Sequence, residues 1–371
     1  MELSTEDSLR LNVLLAQNLQ AVRIDESNMI VYALTENGEA KVRLNPNCKD
    51  EKYLKQVKEL FSTHVLGSPG GYPIYLRRWT RMGQARADNL EKLLLLGEPE
   101  AVVAVVHAPG ITSEVARRAW WAMPSSENAR RMLNREAVMN GDMGPVLSEF
   151  LVEFMPFEED PQAMMESVRL VLQKPGLIDE ETRASIWNKA QRKNALYVGF
   201  LASQPDDLPG QQPVHNEYAT LQLQLQPLVD VGNPFAVQLL RTLSGPGQTY
   251  LHTVEQVLGK PSNQDVVVVL LDTIRDYFAS IRPEEELIRE VDEVKGIADQ
   301  ALAHPGEALQ AVLEAVPGQA GRIHAMLILS LVGERLVAPI FALTDAVGSV
   351  MRKKIEPVSR PVLENIDKLR H

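Results

Sequence analysis

Leu9, Leu11, Val13, Leu14 and Leu15 follow a Ser-Thr-Glu-Asp opening, and this order predicts a first helix over residues 5–18 with acids at the positive end of its dipole. The period then changes. AVRIDES and MIVYALT are β-branched and partly alternating, and MIVYALT-ENGEA-KVRLNP places Asn37-Gly38 between two such runs. Both residues tolerate a positive φ, so the pattern predicts a hairpin inside a small three-stranded sheet within residues 20–46. After Pro46 helical spacing takes over. Tyr53, Leu54, Val57, Leu60, Phe61 and Val65 line one side of a helix over 50–66, and amphipathic stretches broken by Pro and Gly continue from 73 to 201. Further helices are predicted near 219–230, 234–244, 248–258, 265–281, 284–303, 306–315 and 319–355.

The expected fold is mostly α: a helical-repeat, solenoid-like body with a small N-terminal α+β element containing a short antiparallel sheet. QPDDLPGQQPVHNEY, residues 204–218, concentrates prolines, amides and acids, and is the best linker candidate. The predicted division is therefore 1–70 for the α+β element, 71–203 for the helical repeat, 204–218 for the linker and 219–371 for a C-terminal helical domain. A shift of 66 residues superposes Glu100 on Glu166, Val102 on Val168, Val105 on Val171, Pro109-Gly110 on Pro175-Gly176, Glu114 on Glu180, Arg117 on Arg183, Trp121 on Trp187 and Asn128-Ala129 on Asn194-Ala195. Each copy reads as a helix stopped by Pro-Gly, followed by a second helix that opens on acidic or hydroxyl residues and carries its Trp on the inner face. Stacked units of this kind present surfaces to other macromolecules.

Composition narrows the function. The chain has 371 residues, a formal charge of −11 and a single cysteine, Cys48. One cysteine excludes an internal disulfide and any multi-cysteine zinc or iron–sulfur site, in keeping with a reducing cytoplasm. Acids occupy the opening residues, where a secretory signal would be basic, so export is not expected. The most apolar stretch, 323–351, is interrupted by Glu334 and Arg335, which favours a buried helix over a membrane span. A membrane-surface role helped by Arg352, Lys353 and Lys354 is the lesser alternative. The acidic balance argues against nucleic acid, whose phosphates require clustered cations. Against this background residues 71–135 carry ten basic and six acidic side chains, a local excess of +4.

No catalytic or cofactor constellation emerges. The seven histidines are scattered without ligand spacing, so no metal is expected; no phosphate loop or nucleophile elbow is present, and no cofactor is implied. His107 reads as a helix-end cap, and Glu158-Glu159-Asp160 and Glu284-Glu285-Glu286 as helix starts. Cys48, beside Lys49 and Lys52 and just ahead of a helix, is the one possible thiol nucleophile or sulfur carrier; the alternative is an incidental surface cysteine. The principal candidate is GYPIYLRRWTRMGQAR, residues 71–86. On a helix starting near Pro73, Arg77 and Arg81 share a face bordered by Arg78 and Arg86, with Tyr72, Tyr75 and Trp79 close enough to flank it. Arginine suits carboxylate or phosphate and stacks on aromatic rings, so the segment is either a partner- or anion-binding face or a helix paired with its own acids.

GYPIYLRRWTRMGQAR, LLLLGEPEAVVAVVHAPG and RRAWWAMPSSENARRML together resemble the DsrS family of accessory proteins, encoded with dissimilatory sulfite reductase in sulfur-oxidising bacteria; the likeness spans roughly residues 70–200. It implies a cytoplasmic accessory protein, without catalysis of its own, whose partner is another protein of the sulfur-oxidation machinery. It brings no catalytic residue and no cofactor, and Cys48 lies outside it.

Overall fold

The computed structural model describes residues 3–71, 90–283 and 290–371, over which the chain is mostly helical with one small antiparallel sheet. It divides into two compact units, Met1–Phe154 and Met155–His371.

The first unit opens with α1 (Thr5–Leu15), whose first turn is capped by the Ser4 hydroxyl accepting the Asp7 N–H. Strands β1 (Leu19–Asp25), β2 (Ile30–Thr35) and β3 (Gly38–Arg43) follow in the order β1-β2-β3, and α2 (Asp50–Leu66) closes the motif. Thr35 pairs with Gly38 across the predicted hairpin; Gly38 takes the positive φ, 114°, while Asn37 does not. Alternation along the strands sends Val22, Val31, Ala33, Ala40 and Val42 to a core shared with Leu11, Leu14, Tyr53, Val57 and Phe61. The opposite face carries a cross-strand row, Arg23, Tyr32 and Lys41. Beneath the sheet the fully buried Asp7 accepts hydrogen bonds from the Tyr53 hydroxyl and the Asn45 N–H.

Six further helices complete this unit among the described residues: α3 (Leu90–Leu93), α4 (Pro99–His107), α5 (Ser113–Ala122), α6 (Ser126–Leu133), α7 (Glu136–Met139) and α8 (Met143–Phe154). The stretch after α3 lies against the outer edge of β1, where the Val22 N–H donates to Leu94 O at 2.8 Å. Helix α5 packs on β1 and uses adjacent tryptophans in two directions. Trp120 meets Phe150 of α8 edge-on at 4.7 Å, while Trp121 faces the sheet.

The second unit runs through α9 (Pro161–Leu172), α10 (Glu180–Ala190), α11 (Ala195–Ser203), α12 (Tyr218–Asp230), α13 (Pro234–Leu243), α14 (Gly245–Gly259), α15 (Gln264–Tyr277), α16 (Val291–Ala303), α17 (Glu307–Ala315), α18 (Ala320–Leu331), α19 (Glu334–Phe341) and α20 (Gly348–Arg370). Helix α18 is its apolar centre, with Ala325, Met326, Leu327 and Leu329 all buried. The single helix predicted over 319–355 is replaced by three. The Asp272 carboxylate accepts the Glu334 N–H and starts a new helix there, and α18 and α19 meet at 55°. SGPGQ, residues 244–248, forms the first turn of α14: Ser244 caps it by accepting the Gly247 N–H.

Residues 204–218 lie inside the second unit and are fastened to it rather than hanging free. Arg241 of α13 holds Asp206 with two bonds of 2.7 Å, the Gln212 N–H donates to Thr249 Oγ1, and the His215 N–H donates to Leu243 O. The 66-residue shift carries α4, α5 and α6 onto α9, α10 and α11 in the same order. Val102, Val105, Ile111 and Ala129 are buried, as are Val168, Val171, Leu177 and Ala195. Glu114 pairs with Arg117, and Glu180 with Arg183, each pair spaced i, i+3 at the start of its helix.

Candidate functional site

Tyr72, Tyr75, Arg77, Arg78, Trp79, Arg81 and Arg86 lie outside the described residues, as do Glu284, Glu285 and Glu286. Within the first unit, the described residues gather arginine, aromatics and carboxylate at a different place, on the outer face of the sheet. The Arg23 guanidinium of β1 lies between two rings, its carbon 4.7 Å from the centre of Tyr32 and 4.9 Å from that of Trp121. Tyr32 reaches it because the two residues are cross-strand partners, and Trp121 because α5 packs on β1. Glu39 of β3 closes the group, accepting from Arg23 Nη2 at 3.2 Å and from Trp121 Nε1 at 3.0 Å. A planar cation held between aromatic faces is fixed in orientation, and each such contact contributes about 0.5–1 kcal/mol at a partly exposed site.

The surroundings are cationic. Lys41 and Arg43 are exposed on β3 and have no acidic partner among the described residues. On α5, by contrast, the arginines are engaged: Arg117 and Arg118 both bond Glu114, and Arg118 also reaches Glu91 of α3 at 2.8 Å. The hydrogen bond from Arg117, seconded by Arg118, holds the Glu114 carboxyl below its ordinary pKa. Arg135 donates to His107 O. Among the described residues, pairing with local acids therefore accounts for part of the predicted positive segment.

Cys48 is half-buried against the core of the first unit, with Sγ 3.7 Å from Lys49 O. Lys49 is the N-cap residue of α2 but makes no side-chain cap bond. His107 ends α4 with Nδ1 2.9 Å from Val103 O. Asp160 caps α9 by accepting the Gln162 N–H. Among the described residues no group of three metal-ligating side chains converges. Two charged clusters of the second unit are paired internally among the described residues. Arg241 lies 3.9 Å over the Tyr277 ring while bonding Asp206, and Tyr277 stacks on Tyr250 at 3.9 Å. Arg322 grips Glu217 with both terminal nitrogens, and burial, then Arg322, lowers the pKa of the adjacent His215 imidazole.

Sequence reasoning misses Arg23, Tyr32, Glu39 and Trp121 as a group because they are brought together by strand register and one helix–sheet contact. The available signal was the hairpin register, which places Arg23, Tyr32 and Lys41 in one row once Thr35 and Gly38 are paired. No family model, curated protein or solved structure matches the chain.

Proposed function

We propose that the chain is a non-catalytic interaction or assembly protein that binds a protein partner through the Arg23–Tyr32–Trp121 face of its first unit. The observation that carries this reading is an arginine stacked on two rings beside two exposed cations, Lys41 and Arg43, that have no acidic partner among the described residues. Arginine, tyrosine and tryptophan are the side chains that most often anchor interfaces; the two aromatics add large contact area at small conformational cost, and here their rings already restrict the arginine. The matched helix triplets α4–α6 and α9–α11 support a helical-repeat body as the scaffold. The resemblance supplies the setting: a cytoplasmic accessory protein of the dissimilatory sulfite reductase pathway of sulfur oxidation, with a partner from that machinery.

The test is affinity purification under sulfur-oxidising growth, identification of the co-purifying protein, and repetition with purified components. Arg23→Ala combined with Trp121→Leu is expected to weaken the purified complex by about tenfold or more. Circular dichroism of the variant should match the parent. Arg77→Ala with Arg78→Ala and Arg81→Ala puts the 71–86 segment through the same assay. Undiminished binding by the first variant would remove the sheet face from the interface.

A further inference from the structure

We infer that the outer edge of β3, unpaired among the described residues, accepts an extended acidic segment of the partner by strand addition. This rests on the docking reading above and specifies its mode and the chemistry of what docks. The geometry follows from the hairpin. Thr35 and Gly38 flank a two-residue turn, so the pairs whose backbones bond each other are Thr35/Gly38, Ala33/Ala40 and Val31/Val42. The next bond, from the Leu44 N–H to Met29 O, keeps the same phase. Glu39, Lys41 and Arg43 therefore turn their N–H and C=O groups away from β2, and no backbone group among the described residues takes them up. The other edge of the sheet differs, since there the outward Val22 N–H is bonded to Leu94 O.

Charge selects the occupant. The pleat puts the side chains of Glu39, Lys41 and Arg43 on the face that carries Tyr32, Arg23 and Trp121. Glu39 is already held by Arg23 and Trp121, which leaves Lys41 and Arg43 to meet whatever lies alongside. Cations on an edge strand repel basic strands and disfavour apolar ones, which would desolvate the charges without pairing them, and the same cations attract a strand bearing carboxylates at alternate positions. Backbone bonding along the edge supplies affinity and the alternate side chains supply selectivity, as in other strand-addition complexes. A second copy of this chain fits less well. The antiparallel register that sets Glu39 against Arg43 sets Lys41 against Lys41, and the register that sets Glu39 against Lys41 needs a carboxylate already engaged by Arg23.

The experiment uses the full chain and two short probes, a peptide of alternating Glu and Val and its counterpart of alternating Lys and Val. The acidic peptide is expected to bind and to slow amide exchange at Glu39, Lys41 and Arg43; the basic one is expected to do neither. Lys41→Pro removes an outward N–H without touching the ladder to β2, so it should weaken acidic-peptide binding by about tenfold or more while the sheet is kept. If that variant does not fold, Lys41→Glu with Arg43→Glu tests the same edge through charge alone. Equal binding of both peptides, equal binding by the edge variants, or a concentration-dependent dimer that the acidic peptide does not dissociate would overturn strand addition. Partner binding that is lost with Arg23→Ala/Trp121→Leu but kept with the edge variants overturns this inference and leaves the docking face standing. Binding unchanged in every variant removes both.

Discussion

Glu217→Gln tests how the C-terminal helix is held in the second unit. Arg322 donates to both Glu217 oxygens at 2.9 and 3.0 Å, Gln319 adds a bond of 2.8 Å, and Arg322 Nε reaches Lys368 O near the end of α20. These donors, Arg322 first, bring the Glu217 pKa from 4.5 down to about 2. Sealed from water, such a difference would correspond to about 3 kcal/mol. The Glu217 side chain is 45% exposed, however, and screening reduces the expected contribution to about 1 kcal/mol. Because the folded-state pKa is depressed, this stability is fully present above pH 4.5 and is lost as the pH falls towards 2. Hydrogen-exchange mass spectrometry of peptides covering the end of α20 and residues 215–222 reads it locally. At pH 7 the variant should exchange about fivefold faster than the parent, and the ratio should close towards one in acid, where Glu217 is protonated in both states. Equal protection at pH 7 would refute the reasoning. So would a difference that persists unchanged in acid.

Two further outcomes follow from the same unit. His215 Nδ1 accepts the Glu217 N–H, which requires an unprotonated nitrogen, and burial keeps the ring from charging. The unfolded chain takes up that proton more readily, so urea stability of the second unit should fall as the pH drops below about 6.5, and His215→Gln should flatten that slope. In α14, a Cβ at Gly247 would stand 2.1 Å from Arg241 O and 2.5 Å from Thr242 O, both backbone atoms. Gly247→Ala should therefore cost about 1–3 kcal/mol in urea unfolding, whereas Gly259→Ala, which meets open space, should not.

Periodicity and punctuation made the local elements legible. The run from Tyr53 to Val65 predicts a helix over 50–66, and α2 occupies Asp50–Leu66; Asn37-Gly38 locates the hairpin to within one residue. Where tertiary contacts decide, the pattern fails. Nothing in the apolar run from Ile323 onward announces that Asp272, far away in sequence, will take the Glu334 N–H and start a new helix. Pro357 and Pro361 would ordinarily argue for a stop, yet both lie inside α20. The candidate site was obscured for the same reason. Trp121 was visible as a repeat position, but its bond to Glu39 and its place over Arg23 depend on how α5 lies across the sheet.

The two tryptophans related by the 66-residue shift meet different neighbours. Trp187 sits edge-on against Tyr197 at 4.7 Å and Phe200 at 5.1 Å, both from α11. The residues that correspond to Tyr197 and Phe200 in the earlier copy are Arg131 and Asn134. No ring stands at those two positions beside Trp121, which lies over Arg23 instead. The later copy thus keeps its indole as internal filler, while the earlier one lends the same side chain to the surface. At this matched position the chain shows one residue type in two settings, packed among rings in the second unit and laid over a guanidinium on the outer face of the sheet in the first.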